Sequence, residues 1–136
     1  SYGKKMNRDY AVRQTMLAYA NEPFEYGTLD CCLFAAKVAD LVEGVDYSKL
    51  FKHSDEAGAM KYIDQAGGLK ELISNTLGRT PCEVTELQTG DPVLLSLPIL
   101  GELLGVYVKG NVIVKTPKGA LKINAEKIKC GWRLNG

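Results

Sequence analysis

The stretch YGTLDCCLF, Tyr26 to Phe34, decides how the rest of the chain is read. A turn-forming Gly27 leads to Asp30, a residue type that caps helices by accepting hydrogen bonds from their first free N–H groups. Behind it runs CCLFAAKVADLVEG, apolar at helical spacing and closed by Gly44, a natural C-cap. The pattern predicts a helix with Asp30 as its N-cap and Cys31, Phe34, Ala35, Val38, Leu41 and Val42 on its inward face. Cys31 then sits at the head of a buried helix, where unpaired N–H groups and the positive dipole end favour thiolate over thiol. Small apolar side chains at such positions are also ordinary core residues, and cysteine is among the most buried types. Cys31 is therefore a candidate nucleophile, with a structural cysteine as the favoured reading. Cys32 is rotated about 100° around the helix axis and has no claim to the same placement.

Working outward, the first half of the chain reads as helices. Tyr10, Met16, Leu17 and Ala20 recur at three- and four-residue steps and predict a helix over 7–20 with those side chains inward. Pro23 and Gly27 break it. Ser54, followed by Asp55 and Glu56, opens a third helix that ends at Gly67-Gly68, and LKELISNTLG gives a fourth closed by Gly78. The second half changes period: PVLLSL, LLGVYVKG, NVIVKT, ALKIN and KCGWRL are short apolar runs separated by Gly, Pro and Asn. KGN at 109–111 and PKG at 117–119 read as hairpin turns. Helices first and an antiparallel meander second define an α+β fold, N-terminal helices packed on a C-terminal sheet, in a single domain over 1–136 with its core at about 7–134.

A chain of 136 residues with 46% hydrophobic and 24% charged residues has the composition of one globular domain. A formal net charge of +1 gives no electrostatic footprint for nucleic acid or an anionic membrane. No apolar run approaches the roughly 18 residues that span a bilayer. SYGKKMNRDY is polar, with Met6 a candidate start, so the expectation is synthesis in a cytoplasm. Cys31, Cys32, Cys82 and Cys130 lack the paired spacing of a metal site, and reduced thiols are expected, with no metal and no cofactor.

PFEYGTLDCCLF resembles the active-site segment of the NlpC-type cysteine peptidases, small papain-like enzymes that cut peptidoglycan stem peptides. Phe24 stands at that family's tyrosine position and Tyr26 at its tryptophan, while Gly27 and Asp30-Cys31 match. LQTGDPVLL resembles its Gly-Asp turn before an apolar strand, and LLGVYVKGNVIVK its next hairpin, which normally begins His-Val-Gly-Ile-Tyr. Over 7–134 the chain also resembles short phage and prophage proteins related to that family, which share the aromatic-Gly-x-x-Asp-Cys segment, an internal Gly-Gly-Leu (AGGLKEL) and a terminal tryptophan strand (CGWRL). The resemblance implies a papain-like NlpC-type fold. It also implies a tail-tip structural or assembly protein, working with other phage tail proteins in a virion tail.

A cysteine hydrolase pairs its thiolate with a histidine that later protonates the leaving amine. The position that the resemblance assigns to that histidine is Leu103, and the third polar position falls at Val114 and Lys115. His53, the single histidine, precedes a predicted helix cap in a separate loop. Glu102 sits beside the vacated position and is a candidate base, although a free glutamate with a pKa near 4.3 is a poor proton donor at neutral pH. The expectation is a degenerate peptidase without catalysis. The alternative is an active enzyme that cleaves peptidoglycan peptides with Cys31 during genome delivery. Tyr26, Gly27 and Asp30 are assigned structural roles at the helix start. Pro98, Ile99, Leu100, Leu103 and Leu104 form an apolar stretch that is either core or a protein-binding surface. Trp132 is expected inside, with a partner for its N–H.

Overall fold

The computed structural model describes residues 5–19, 27–51, 54–116 and 119–136. Four helices, α1 (Arg8–Tyr19), α2 (Gly27–Glu43), α3 (Glu56–Ala66) and α4 (Leu69–Leu77), precede five strands. The strands are β1 (Pro92–Leu97), β2 (Gly101–Val108), β3 (Asn111–Thr116), β4 (Gly119–Asn124) and β5 (Ile128–Gly131). They form one antiparallel sheet in the order β4-β3-β2-β1-β5, so the fold is α+β with helices followed by a sheet.

Helix α2 is the centre of the core, packed against α1, α3 and the middle strands. Cys31, Cys32, Phe34, Ala35, Val38, Ala39 and Val42 are all buried, more of the helix surface than a single amphipathic face provides. Gly44 closes it with a positive φ of 71°, as the sequence predicts. Helix α3 is capped by Asp55, whose carboxylate accepts the Gly58 N–H at 2.8 Å, and it ends on left-handed Gly67. Gly78 ends α4 in the same way.

Two expectations change. In α1 the buried residues are Ala11, Val12 and Thr15, while Tyr10 and Met16 are exposed and Leu17 is 67% exposed. Small side chains let α1 approach α2 closely, and the Thr15 hydroxyl satisfies itself on the Ala11 carbonyl at 2.9 Å. The second change is at α2, which begins at Gly27; Asp30 lies within its first turn and is not the N-cap.

Strand β1 is buried on both faces, whereas the edge strand β4 is largely exposed. Pro92, Val93, Leu94 and Leu95 are consecutive and all buried, so neither side of β1 meets water. Leu104 and Pro92 line a hollow beneath α2, which fixes their side as the helix-facing one. The other side carries a row across three strands, Gly105 beside Val93 beside Gly131. A Cβ on Gly105 would press into Val112 and stand 2.9 Å from Val114 Cγ2, and one on Gly131 would stand 2.7 Å from Leu87 Cδ2. The glycines let neighbouring side chains cross where a methyl would otherwise stand, so the sheet curls over its own apolar face. Lys109 and Gly110, with φ of 47° and 87°, make the two-residue turn between β2 and β3, a type I′ pattern. Pro117 and Lys118 of the second expected turn lie outside the described residues.

The C-terminal strand is strapped down by two polar networks. Asp91, wholly buried at the Gly-Asp turn, accepts Arg8 Nη1 at 2.6 Å, the Leu134 N–H at 2.9 Å and the Gln88 N–H at 2.8 Å. Arg8 also donates to the carbonyls of Thr89 at 3.0 Å and Leu134 at 2.7 Å. On the other side Glu43 accepts from Arg79, from the Tyr47 hydroxyl and from the Asn135 N–H. Between them Trp132 is fully buried, its indole N–H donating to Ser74 Oγ at 3.0 Å.

Candidate functional site: the Cys31–Cys32 pair

With α2 starting at Gly27, Cys31 is its fifth residue and its N–H is the first whose i−4 carbonyl belongs to the helix. The free N–H groups lie on the turn before it, and the dipole's influence falls off within that turn. Cys31 is 0% exposed. Its sulfur accepts the Leu104 backbone N–H at 3.4 Å. The Tyr107 N–H donates to Asp91 on the β1 side, so by strand alternation the Leu104 N–H points toward β3. Pairing between β2 and β3 stops at Val106 with Ile113, and Cys31 occupies the acceptor position that the ladder leaves open there. The thiol thus completes the sheet's hydrogen bonding.

Cys32 is equally buried. A hydrogen bond with Cys31 raises its pKa well above the ordinary thiol value, and loss of solvent pushes it further in the same direction. It borders an apolar hollow of about 30 Å³ walled by Ala35, Ala39, Tyr47, Phe51, Ile73 and Leu104. A neutral thiol in such surroundings is not a ready nucleophile.

The residues assigned around Cys31 separate in space. Leu103, at the vacated histidine position, is buried opposite Leu95. Side chains alternate along a strand, so Leu104 on the α2 side, not Leu103, lies over the cysteine pair. Glu102 is on the exposed rim of β2, 3.7 Å from Lys129 in a solvated pair. Val114 is buried in the curled face. Lys115 is also buried, with its ammonium 4.2 Å above the Tyr19 ring, which packs edge-on against Phe34 one helical turn from Cys31. Tyr26 and His53 lie outside the described residues, as do the side chains of Thr28 and Leu29. Pro98, Ile99 and Leu100 form the exposed β1–β2 turn, whereas Leu103 and Leu104 are core; the apolar stretch divides between the two expected roles.

The other two cysteines are remote from the pair in sequence and free. Cys82 bridges to Gly131 beside β5, and Cys130 lies within β5. Burial raises the pKa of both. Among the described residues no three His, Cys, Asp or Glu side chains converge as metal ligands. No helix among them is long and apolar enough to cross a membrane. Sequence reasoning missed the Asp91 and Glu43 networks. Their signal is an acidic residue placed before an apolar strand or at a helix end, which surface residues share.

The fold and the buried pair define an α+β domain in which Cys31 and Cys32 belong to the core. The chain belongs to the family described as "Domain of unknown function (DUF6950)", whose model matches residues 4–134. No curated protein matches it.

Proposed function

We propose that this domain is a non-catalytic descendant of the NlpC-type papain-like architecture, serving as a structural or assembly component of a phage or prophage tail tip. The observation that carries the loss of catalysis is the full burial of Cys31, its sulfur engaged by the Leu104 N–H. A nucleophilic thiol needs an accessible, electropositive setting and a proton-transfer partner, and the position that would supply a histidine holds Leu103. The tail assignment is supported by the order of the aromatic-Gly-x-x-Asp-Cys, Gly-Gly-Leu, Gly-Asp and terminal tryptophan motifs. Partners are then other tail proteins, met through exposed surface.

Two experiments separate this reading from an active peptidase. Native protein treated with iodoacetamide at pH 7 to 9 is expected to leave Cys31 unlabelled, with labelling only after unfolding, and to release no peptide from purified peptidoglycan. Rapid native labelling of Cys31 with release that a Cys31→Ser change abolishes would establish the peptidase. For the assembly role, deleting the coding sequence from the phage or prophage that carries it should yield tailless or tip-defective particles. Intact, infectious particles would overturn that role.

A further inference from the structure

Among the described residues β4 ends the sheet, with β3 on one side and no strand on the other. It pairs with β3 in unbroken register over six residues, without a bulge to blunt its edge. The Ala125 N–H donates to the Gly110 carbonyl at 3.3 Å, in line with that register. Alternation from this bond turns the backbone groups of Leu121 and Ile123 toward β3 and those of Ala120 and Lys122 outward to the edge.

Beside this edge runs a groove of about 350 Å³ between α1 and the β2–β3 hairpin. Arg13 and Met16 of α1 form one wall, and Val108, Lys109 and Ile113 form the floor. Ile113 pairs with Lys122, so the Lys122 side chain lies on the same face of the sheet as the groove. Asp9 is the acidic residue of the lining, against Arg13 and Lys109 within it and Lys122 next to it on β4. All three basic side chains are exposed. The net charge of +1 hides an uneven distribution of the same sign: residues 101–136 hold seven Lys and Arg against two Asp and Glu, while residues 1–100 hold ten against fourteen. On the opposite face of β4 lie Leu121, 39% exposed, and the half-buried Ile123. The edge is therefore basic on one face and apolar on the other.

We propose that β4 receives an extended segment of a partner protein in which acidic and apolar residues alternate. In strand addition the main-chain bonds give affinity and alternate side chains give specificity. The segment bonds the outward N–H and C=O groups of Ala120 and Lys122. Its acidic side chains face Arg13, Lys109 and Lys122, and its apolar ones cover Leu121 and Ile123. A lysine guards an edge against strands like its own, since two β4 strands would bring Lys122 beside its copy, but it attracts an acidic strand. The inference goes beyond the tail-tip reading and does not rest on it.

Fluorescence anisotropy on the whole chain tests it, with a labelled peptide of about eight alternating valines and glutamates, long enough to span β4. Saturable binding is expected between about 10 µM and 1 mM, weakening as salt is raised. Lys122→Glu and Arg13→Glu, both at exposed positions, should each weaken it about tenfold or more, with circular dichroism showing the fold retained. A peptide of alternating valine and lysine should not bind. N-methylation separates strand addition from charge attraction alone. Methylating the glutamate N–H groups or the valine N–H groups should abolish binding in one peptide and spare it in the other, because a strand turns alternate N–H groups toward its neighbour. No binding at about 1 mM, equal affinity for the two methylated peptides, unchanged affinity in both variants, or binding of the lysine peptide overturns the proposal. So does an oligothymidine that binds more tightly than the glutamate peptide, since the basic groups would then serve a nucleic acid.

Discussion

Asp91→Ala should be the most damaging single polar change in the chain. The carboxylate is wholly buried and holds together three parts of the fold: Arg8 at the start of α1, the Gln88 N–H before β1, and the Leu134 N–H of the final segment. Its removal leaves the Arg8 guanidinium, 12% exposed, with carbonyl partners only, and strands two backbone N–H groups. Breaking a buried pair by deleting one partner costs about 3–5 kcal/mol. An orphaned buried donor costs about 1–3 kcal/mol, overlapping with that figure because the groups share one site. The expected loss is about 4 kcal/mol, against a total of roughly 5–15 kcal/mol for a domain of ordinary stability. Urea unfolding measures it, with far-ultraviolet circular dichroism for the helices and the fluorescence of Trp132, the single tryptophan, for the strap. Trp132 is buried two residues before Leu134, so a strap that loosens first would separate the two transitions. A loss below about 1 kcal/mol with coincident transitions would refute the reasoning, because it falls within the net value of one ordinary hydrogen bond.

Three further outcomes follow from particular residues. Gly105→Ala pushes a methyl into Val112 and Val114 under the curl of the sheet and should cost about 1–3 kcal/mol by urea unfolding, while Gly110→Ala, with open space around it, should show only the strain of its positive φ. Burial and the Glu43 carboxylate raise the Tyr47 pKa to about 12, so absorbance at 295 nm should show a late-titrating component that disappears in Tyr47→Phe. The sign follows: a pKa raised in the folded state gives stability that is complete below the ordinary value of 10.0 and is lost as pH rises toward 12. Disulfide-exchange titration of native protein should count Cys82 and Cys130 alone, slowly and faster at higher pH because burial holds both thiols above their ordinary pKa, and all four cysteines in urea.

Glu43 behaves oppositely at the acid end. Burial alone would raise its pKa, but hydrogen bonds from Arg79, Tyr47 and Asn135, together with the Arg79 charge, outweigh that and hold it below the usual glutamate value. Its contribution is therefore present above the unfolded pKa of about 4.3 and lost as pH falls through the lower folded value. The same carboxylate that makes Tyr47 a late acid thus keeps the end of the chain fastened at neutral pH.

Element order and class were legible because they rest on period: three- and four-residue apolar spacing in the first half, short apolar runs with glycine turns in the second. The ends of α3 and α4 were legible because Gly67 and Gly78 offer the left-handed conformation a helix end needs. The buried side of α1 was not, since large apolar residues carry the stronger pattern signal, yet Ala11, Val12 and Thr15 pack closest and leave Tyr10 and Leu17 outside. The burial of β1 on both faces was hidden as well. A run such as PVLLSL is equally consistent with one covered face, and only the Gly105–Val93–Gly131 row shows that the sheet curls over itself.

The candidate site turns on a displacement of four residues, one helical turn. Read from Asp30 as a cap, Cys31 lies beside free N–H groups; with α2 beginning at Gly27, it sits one turn in, within the hydrogen-bonded ladder. The electrostatic case for a thiolate weakens with that turn, while the case for a core residue strengthens, because the sulfur now meets the Leu104 N–H where β3 leaves β2. An alanine there would leave that buried donor unpaired, and a serine would put a strong polar group into a largely apolar layer. Cysteine combines the small apolar volume with a weak acceptor. A core role for Cys31 therefore needs no chemistry. On this argument Cys31→Ala destabilises the fold by an amount near the cost of one orphaned N–H, about 1–3 kcal/mol. Urea unfolding measures it, and a Cys31→Ala protein as stable as the wild type would refute this account of the sulfur.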